Sequence, residues 1–206
     1  MPSANEPQSG ASNLAPTAST PIRTPDQRVR VFVSSTLDEL APERLATKEA
    51  IAQLHLTPVM FESAARPYPP RELYRAYLAQ SDIFIGIYWQ RYGWIAPGMD
   101  ISGLEDEYRL AGPRPKLIYI KRTAPEREPR LQTLLDHIRD AGVSYRAFAT
   151  PDELRALVAD DLALLLTDRF ARRATHRGRP LGDTRPGGRP AAQDPGHQSG
   201  TAARAR

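Results

Sequence analysis

Cysteine is absent from this chain of 206 residues. Disulfides, iron–sulfur clusters, thiolate zinc sites and cysteine nucleophiles are therefore excluded together. The sequence also lacks any run of about 18 apolar residues, so no segment is predicted to span a membrane. The first twenty residues contain neither the basic nor the apolar stretch of a secretory signal. We expect a soluble, cytoplasmic protein and predict neither a metal site nor a cofactor.

Both ends of the chain are poor in branched and aromatic residues. Proline accounts for 20 of the 206 residues, which is about twice its usual share of 5%. Residues 171–206 contain eight arginines and two aspartates. Neither end has enough apolar surface to offset the entropy of ordering. We predict a disordered tail over residues 1–27 and a disordered, basic tail over residues 171–206. A further hypothesis is that the basic tail binds nucleic acid weakly.

Residues 28–170 alternate short β-type runs with helical runs, as one domain. The predicted strands are Val29–Val33, Thr57–Phe61, Asp82–Tyr88, Lys116–Lys121 and Val143–Phe148. The predicted helices are Asp38–His55, Arg71–Gln80, Leu104–Ala111, Arg130–Ala141 and Asp152–Phe170. This alternation is typical of a parallel sheet covered on both faces. The sequence therefore predicts an α/β fold, a flavodoxin-like three-layer sandwich with a five-stranded parallel sheet.

Ligands of such folds bind beyond the carboxyl ends of the strands. Ser34, Ser35 and Thr36 follow the first predicted strand, and the aromatic loop Tyr88–Trp94, with Arg91 and Tyr92, follows the third. Hydroxyls, rings and a guanidinium at one edge suit a nucleotide or nucleoside. Thr36 also stands three residues before Glu39, in the spacing of a capping box at the head of the first helix.

The segment Ser102–Tyr108 is the most informative. Ser102 and Glu105 have the spacing of a second capping box, which gives Glu105 a structural role. Glu107 instead shares a helical stripe with Leu104, Leu110 and Ala111, which should face the sheet. A carboxylate on an apolar stripe needs a partner or a function. Two hypotheses follow: a salt bridge to an arginine such as Arg91, or a glutamate that stabilises or attacks a sugar.

Four ordered segments resemble a known family, the domain of unknown function 4062, over roughly residues 28–125. They are Val31–Leu40 with Glu43 and Arg44, Asp82–Tyr88, Arg91–Gly93 and Ser102–Tyr108. That family is similar to TIR domains and nucleoside 2-deoxyribosyltransferases, which share the flavodoxin-like sandwich. Its members often precede NACHT-type or AAA-type signalling ATPases or repeat proteins, so the resemblance implies such partners or self-association.

In the related enzymes, a glutamate on the helix after the third strand acts on the ribosyl C1′ of NAD or a nucleoside. The deoxyribosyltransferase pattern implies that role for Glu107, with Ala111 four residues later. The chain departs from the family at Leu104, where a threonine is usual, and at Asp106, where an apolar residue is usual.

Two functional hypotheses result. The first is a signalling or defence effector or adaptor that acts through protein assembly, with an exposed apolar patch on an outer helix and no usable pocket. The second is an enzyme that cleaves the N-glycosidic bond of NAD, a nucleoside or a nucleotide. In that enzyme Glu107 would be catalytic, and the ligand would be bound by Ser34, Ser35, Thr36, Tyr88, Arg91, Tyr92 and Ser102. A flavin carrier is a third, more distant alternative.

Overall fold

The computed structural model describes residues 27–61 and 67–177, and the side chains up to Arg172. Five strands and five helices alternate through these residues. The strands are β1 (Arg30–Ser34), β2 (Thr57–Met60), β3 (Ile83–Tyr88), β4 (Lys116–Lys121) and β5 (Tyr145–Phe148). The helices are α1 (Ala41–Gln53), α2 (Pro70–Ala79), α3 (Gly103–Leu110), α4 (Pro129–Asp140) and α5 (Pro151–Arg177).

All strand pairs are parallel, in the order β2-β1-β3-β4-β5. This is the doubly wound order of flavodoxin-like folds, in which chain direction across the sheet reverses between β1 and β3. The predicted fold class is thereby confirmed. In the register, Ser34 at the end of β1 lies beside Gly86 of β3, so both strands end close to the reversal point, where ligands of such sheets bind.

Side chains of the sheet alternate between two hydrophobic layers. Phe32 and Phe84 pack into one layer with α2, α3 and α4. Val31 and Ile85 pack into the other with α1 and the first part of α5. Because successive side chains of a strand point to opposite faces, the apolar runs of β1 and β3 serve both layers at once. Ser34 lies two residues after Phe32 on the same face of β1 and therefore faces the layer that contains α3.

Two predicted helix boundaries differ from the structure by three residues or more. Helix α1 begins at Ala41 rather than Asp38, with Leu40 at the N-cap position and no side-chain cap. Helix α5 continues to Arg177 rather than ending at Phe170, so residues 171–177 are helical and not part of a disordered tail. The rest of the two predicted tails, residues 1–26 and 178–206, lies outside the described residues. None of the described helices is long and apolar enough to cross a membrane.

The chain divides into two units, Met1–Leu166 and Thr167–Arg206. The first contains the whole sheet and all of the residues discussed below. Of the second, the structure describes the last turns of α5, where Phe170 is exposed. The predicted domain, residues 28–170, ends within four residues of this division and stays a prediction.

Candidate functional site

A buried serine–glutamate pair lies at the carboxyl end of β1. Ser34 is 1% exposed and Glu107 is 8% exposed, and the Ser34 hydroxyl donates a hydrogen bond of 2.5 Å to Glu107 Oε2. Ser34 ends β1, whereas Glu107 lies in the second turn of α3. The apolar stripe of α3 therefore carries its carboxylate toward the sheet, as the sequence predicts, although Leu110 of the same predicted stripe is 36% exposed.

The surroundings of Glu107 oppose its ionisation. Burial raises the pKa of its carboxyl group from 4.5 to about 7. The Ser34 hydrogen bond and the charge of Arg44 act in the opposite direction, and nearby Asp106 raises the pKa further. A carboxyl group with a pKa near 7 is present in both protonation states at neutral pH, which suits a group that exchanges protons or stabilises a positive charge.

Glu107 lies in the wall of a cavity of about 790 Å³. This volume falls in the range of about 300–1,000 Å³ that is typical of small-molecule sites. The cavity lies at the ends of β1 and β3, between the loops that follow them and the first turns of α2 and α3. Of the sequence-predicted residues, Ser35, Thr36, Arg91 and Glu107 line it.

Arg44 of α1 is a lining residue that the predicted site omits. It is 6% exposed, and its guanidinium donates to Ser35 Oγ at 2.8 Å and to the carbonyl of Phe61 at 2.7 Å. Arg44 and Thr47 both lie on the buried face of α1. A charged side chain on a helical stripe was the signal that identified Glu107, and the same test applied to α1 would have found Arg44.

Glu39 joins the two loops that frame the cavity. Its Oε1 accepts a hydrogen bond from Thr36 Oγ1 at 2.9 Å and from the backbone N–H of Arg91 at 3.0 Å. The capping box predicted from Thr36 and Glu39 is therefore wrong. The two side chains do bond to each other, but they precede the helix and tie the loop after β1 to the loop after β3.

Arg91 does not pair with Glu107, so the salt-bridge hypothesis fails for this arginine. Its guanidinium lies 3.2 Å from Glu128 at the solvent-exposed side of the loop. Glu128 also accepts the backbone N–H of Tyr92 at 2.8 Å, and these contacts lower the pKa of its carboxyl group. Glu128 thus holds the Arg91 guanidinium and the Tyr92 backbone, and this cation is not beside Glu107.

Tyr88, Tyr92 and Ser102 do not line the cavity. Tyr88 is 1% exposed within the core, and its burial raises the pKa of its hydroxyl. Tyr92 is 2% exposed; its hydroxyl donates to Glu105 and accepts from the backbone N–H of Ser102. Their absence from the cavity wall gives no support to the predicted ligand-binding role, which stays a prediction.

Ser102 holds the start of α3 in place. Its hydroxyl accepts the backbone N–H of Glu105 at 3.4 Å, which is the first half of the predicted capping box. The second half differs, because the Glu105 carboxylate bonds to Tyr92 and Arg109 instead of returning to Ser102. The cap fixes the rotation of α3 and, with it, the direction of Glu107.

The two departures from the family pattern have separate structural roles. Leu104 is 6% exposed and lines the cavity, so it supplies an apolar wall where a hydroxyl would be usual. Asp106 accepts a hydrogen bond from the Tyr74 hydroxyl at 2.7 Å and lies within 4 Å of Arg71 and Arg75. These bonds lower the pKa of Asp106 despite its burial and join α3 to α2.

The groups that face the cavity suit an organic ligand. Among the described residues, no cluster of three or more histidine, aspartate or glutamate side chains has the arrangement of a metal site. The cavity offers carboxylates, hydroxyls, guanidinium groups and an exposed indole, Trp94, which is 67% exposed. These are groups that bind sugars, phosphates and heterocyclic rings.

Solved structures with a similar chain path are distant in sequence. The CMP N-glycosidase BcmB of Clostridium botulinum is 16% identical, with a TM-score of 0.41 over 62% of this chain and 97% of that one. The diflavin flavoprotein A3 of Nostoc sp. is 13% identical, with a TM-score of 0.44 over 70% and 96%. A flavo-diiron protein of Thermotoga maritima is 14% identical, with a TM-score of 0.41 over 68% and 35%.

A comparison with curated protein sequences finds no match. The family comparison does find one, and it extends beyond the four segments quoted above to the first turns of α5. Residues 30–163 match the model of the family described as domain of unknown function (DUF4062), and this chain belongs to that family.

Proposed function

We propose that this protein cleaves the N-glycosidic bond of a nucleoside or nucleotide, with Glu107 as the catalytic carboxylate. One observation carries the proposal: a buried glutamate, oriented by the Ser34 hydroxyl at 2.5 Å, faces a cavity of about 790 Å³ at the reversal point of the sheet. A glutamate that packed against an arginine without a cavity would have pointed to a structural role. The sequence resemblance to nucleoside 2-deoxyribosyltransferases selects the same carboxylate.

The reaction divides into two steps. In the first, the bond between C1′ and the base nitrogen breaks, the electron pair leaves with the base, and positive charge develops at C1′ and the ring oxygen. Ionised Glu107 stabilises this charge or forms a bond to C1′. In the second step a water oxygen bonds to C1′, any bond between Glu107 and C1′ breaks with its electron pair returning to the carboxylate, and a water proton passes to the departing base. The products are the free base and the ribose or ribose phosphate.

The remaining cavity groups would hold the sugar and its phosphate. Ser35 accepts a hydrogen bond from Arg44, so its own proton is directed away from that guanidinium and can be donated to a ligand oxygen. Thr36 and Arg91 line the same side and are joined through Glu39. Because Glu39 sets the positions of both loops, it acts as a positioning residue.

The test is release of free base from AMP, CMP, NAD and adenosine by the full-length protein. We expect turnover by the wild-type protein and a loss of at least a hundredfold in Glu107→Gln, which keeps the size of the side chain and removes its charge. Glu49→Gln changes an exposed glutamate of α1 and serves as the matched control with unchanged activity. Turnover that survives in Glu107→Gln, or no turnover by the wild-type protein at high concentration, would contradict the proposal.

The first hypothesis of the sequence analysis, a signalling or defence module that acts through protein assembly, becomes the second candidate. It expects an exposed apolar patch and no usable pocket. The cavity favours the enzyme hypothesis. In addition, large exposed apolar side chains among the described residues of the first unit lie on separate elements, for example Leu45 on α1, Tyr145 on β5 and Leu164 on α5. Single exposed apolar residues are ordinary on a protein surface.

A further inference from the structure

The indole of Trp94 is exposed in a place where the backbone is fixed. The side chain is 67% exposed and lines the cavity, and it forms no hydrogen bond with any residue that the structure describes. The second tryptophan of the chain, Trp89, differs in each respect, because its indole N–H donates to the carbonyl of Thr123 and Lys121 lies 4.0 Å from its ring centroid.

The backbone on both sides of Trp94 is held by specific contacts. Tyr92, two residues earlier, is buried and bonded through its hydroxyl and its N–H. Gly93 has a φ of +91°, a conformation that favours glycine, and a Cβ at this position would lie 3.4 Å from Leu104. The carbonyl of Trp94 accepts the N–H of Gly103 at 3.3 Å. These contacts therefore fix the backbone that carries the exposed ring.

The same contacts place Trp94 near Glu107. Gly103, which bonds to the Trp94 carbonyl, begins α3, and Glu107 follows four residues later, about 6 Å along the helix axis. A nucleoside spans a comparable distance between C1′ and the far edge of its base. A sugar at Glu107 would therefore bring its base within reach of the indole.

We propose that Trp94 forms a heterocycle subsite at the edge of the cavity, where the base of the ligand stacks on the indole. The inference rests on the proposed function for the identity of the ligand and adds the residue that recognises its base. Stacking is tolerant of base identity, because every base has a π face. The subsite therefore selects ligands that carry a heterocycle over free sugar phosphates, and does not by itself distinguish adenine from cytosine.

The test measures binding in the non-cleaving Glu107→Gln protein, with AMP, CMP and ribose 5-phosphate as probes. We expect Trp94→Ala to weaken the binding of AMP and CMP about tenfold or more, and to leave ribose 5-phosphate unchanged. Trp94→Phe, which keeps an aromatic face, should recover part of the affinity. In a Trp89→Phe protein, where Trp94 is the sole tryptophan, AMP should quench the fluorescence and ribose 5-phosphate should not.

The outcomes separate this inference from the proposed function. Equal losses for AMP and ribose 5-phosphate, no loss for AMP, or no binding of either nucleotide would overturn the subsite. Tight binding of AMP that depends on Trp94, without base release by the wild-type protein, would sustain the subsite and overturn the glycosidase. Base release that is unaffected by Trp94→Ala would sustain the glycosidase and overturn the subsite.

Discussion

Glu107 occupies surroundings that disfavour its charge more than they support it. The Ser34 hydroxyl donates a hydrogen bond to its carboxylate and the charge of Arg44 lowers its pKa, but burial outweighs both and raises the pKa. By contrast, Asp106 on the same helix accepts a hydrogen bond from one tyrosine and forms ion pairs with two arginines. Adjacent carboxylates therefore have opposite pKa shifts. Asp106 thus joins α3 to α2, whereas burial keeps the pKa of Glu107 above its ordinary value.

This difference predicts how stability depends on pH. The folded-state pKa of Glu107, about 7, lies above its ordinary value of 4.5. Its ionisation therefore costs nothing below pH 4.5, lowers the stability of the fold as pH rises toward 7, and costs a constant amount above 7. The cost is on the order of 3 kcal/mol, because a pKa difference of one is worth about 1.4 kcal/mol.

The stability of Glu107→Gln relative to the wild-type protein should therefore increase when the pH is raised from 4.5 to 8. Denaturant unfolding at both pH values measures the change, and Glu49→Gln, at an exposed position, should differ from wild type by less than about 0.5 kcal/mol at each. A Glu107→Gln difference that is the same at both pH values would contradict the assigned environment.

At the scale of single elements, α1 and α3 show how polar side chains on a buried face are used. Each helix buries charged residues, Glu43 and Arg44 on α1 and Asp106 and Glu107 on α3. On α1 the buried Glu43 pairs with Lys121 at 2.6 Å, and Arg44 bonds to the loop after β1 and to Phe61. The polar contacts of the helices thus hold the loops around the cavity, while their apolar contacts hold the helices to the sheet.

The N-cap of α3 gives a prediction at this scale. Ser102→Ala removes the acceptor for the Glu105 N–H and should destabilise the protein by about 1 kcal/mol, the usual cost of a lost N-cap. Thermal and denaturant unfolding measure it, with Ser144→Ala at an exposed position as the matched control. A cost as small as that of the control would show that the hydrogen bonds of Tyr92 alone fix the start of the helix.

On the scale of the whole molecule, the apolar layer that contains α3 depends on one close approach within β3. Tyr88 folds back over Gly86, so a Cβ at Gly86 would lie 2.8 Å from the Tyr88 hydroxyl oxygen and 2.9 Å from its ring. Tyr88 is fully buried and has little room to move. The missing side chain at Gly86 is what lets the ring fill the layer that contains α3.

Gly86→Ala should destabilise the fold by about 1–3 kcal/mol, the usual cost of overpacking a core. Gly103→Ala is the matched control, since nothing lies within 4 Å of its Cβ position at the start of α3, and it should be neutral or slightly stabilising. Denaturant midpoints compare the two. Equal stability of both variants would mean that the ring of Tyr88 moves without cost.

The sequence by itself determined the periodicity of the elements and, through it, the fold class. It also determined that the strands end at one edge of the sheet and that a glutamate lies on an apolar helical stripe. Each follows from residues that are close in sequence, whose spacing of two or 3.6 dictates which face is buried. The hydrogen bond between Ser34 and Glu107 joins residues 73 apart in the chain, so the fold sets it and local spacing does not.

Only the tertiary structure decided which partner each polar group has. Arg91 binds Glu128 rather than Glu107, Glu39 bridges two loops rather than capping a helix, and Tyr88 is in the core while Trp94 is exposed. The physical reason is that several partners of similar chemistry compete for each charge or ring. The choice depends on distances of a few ångströms between segments far apart in the chain, and local patterns contain no information about those distances.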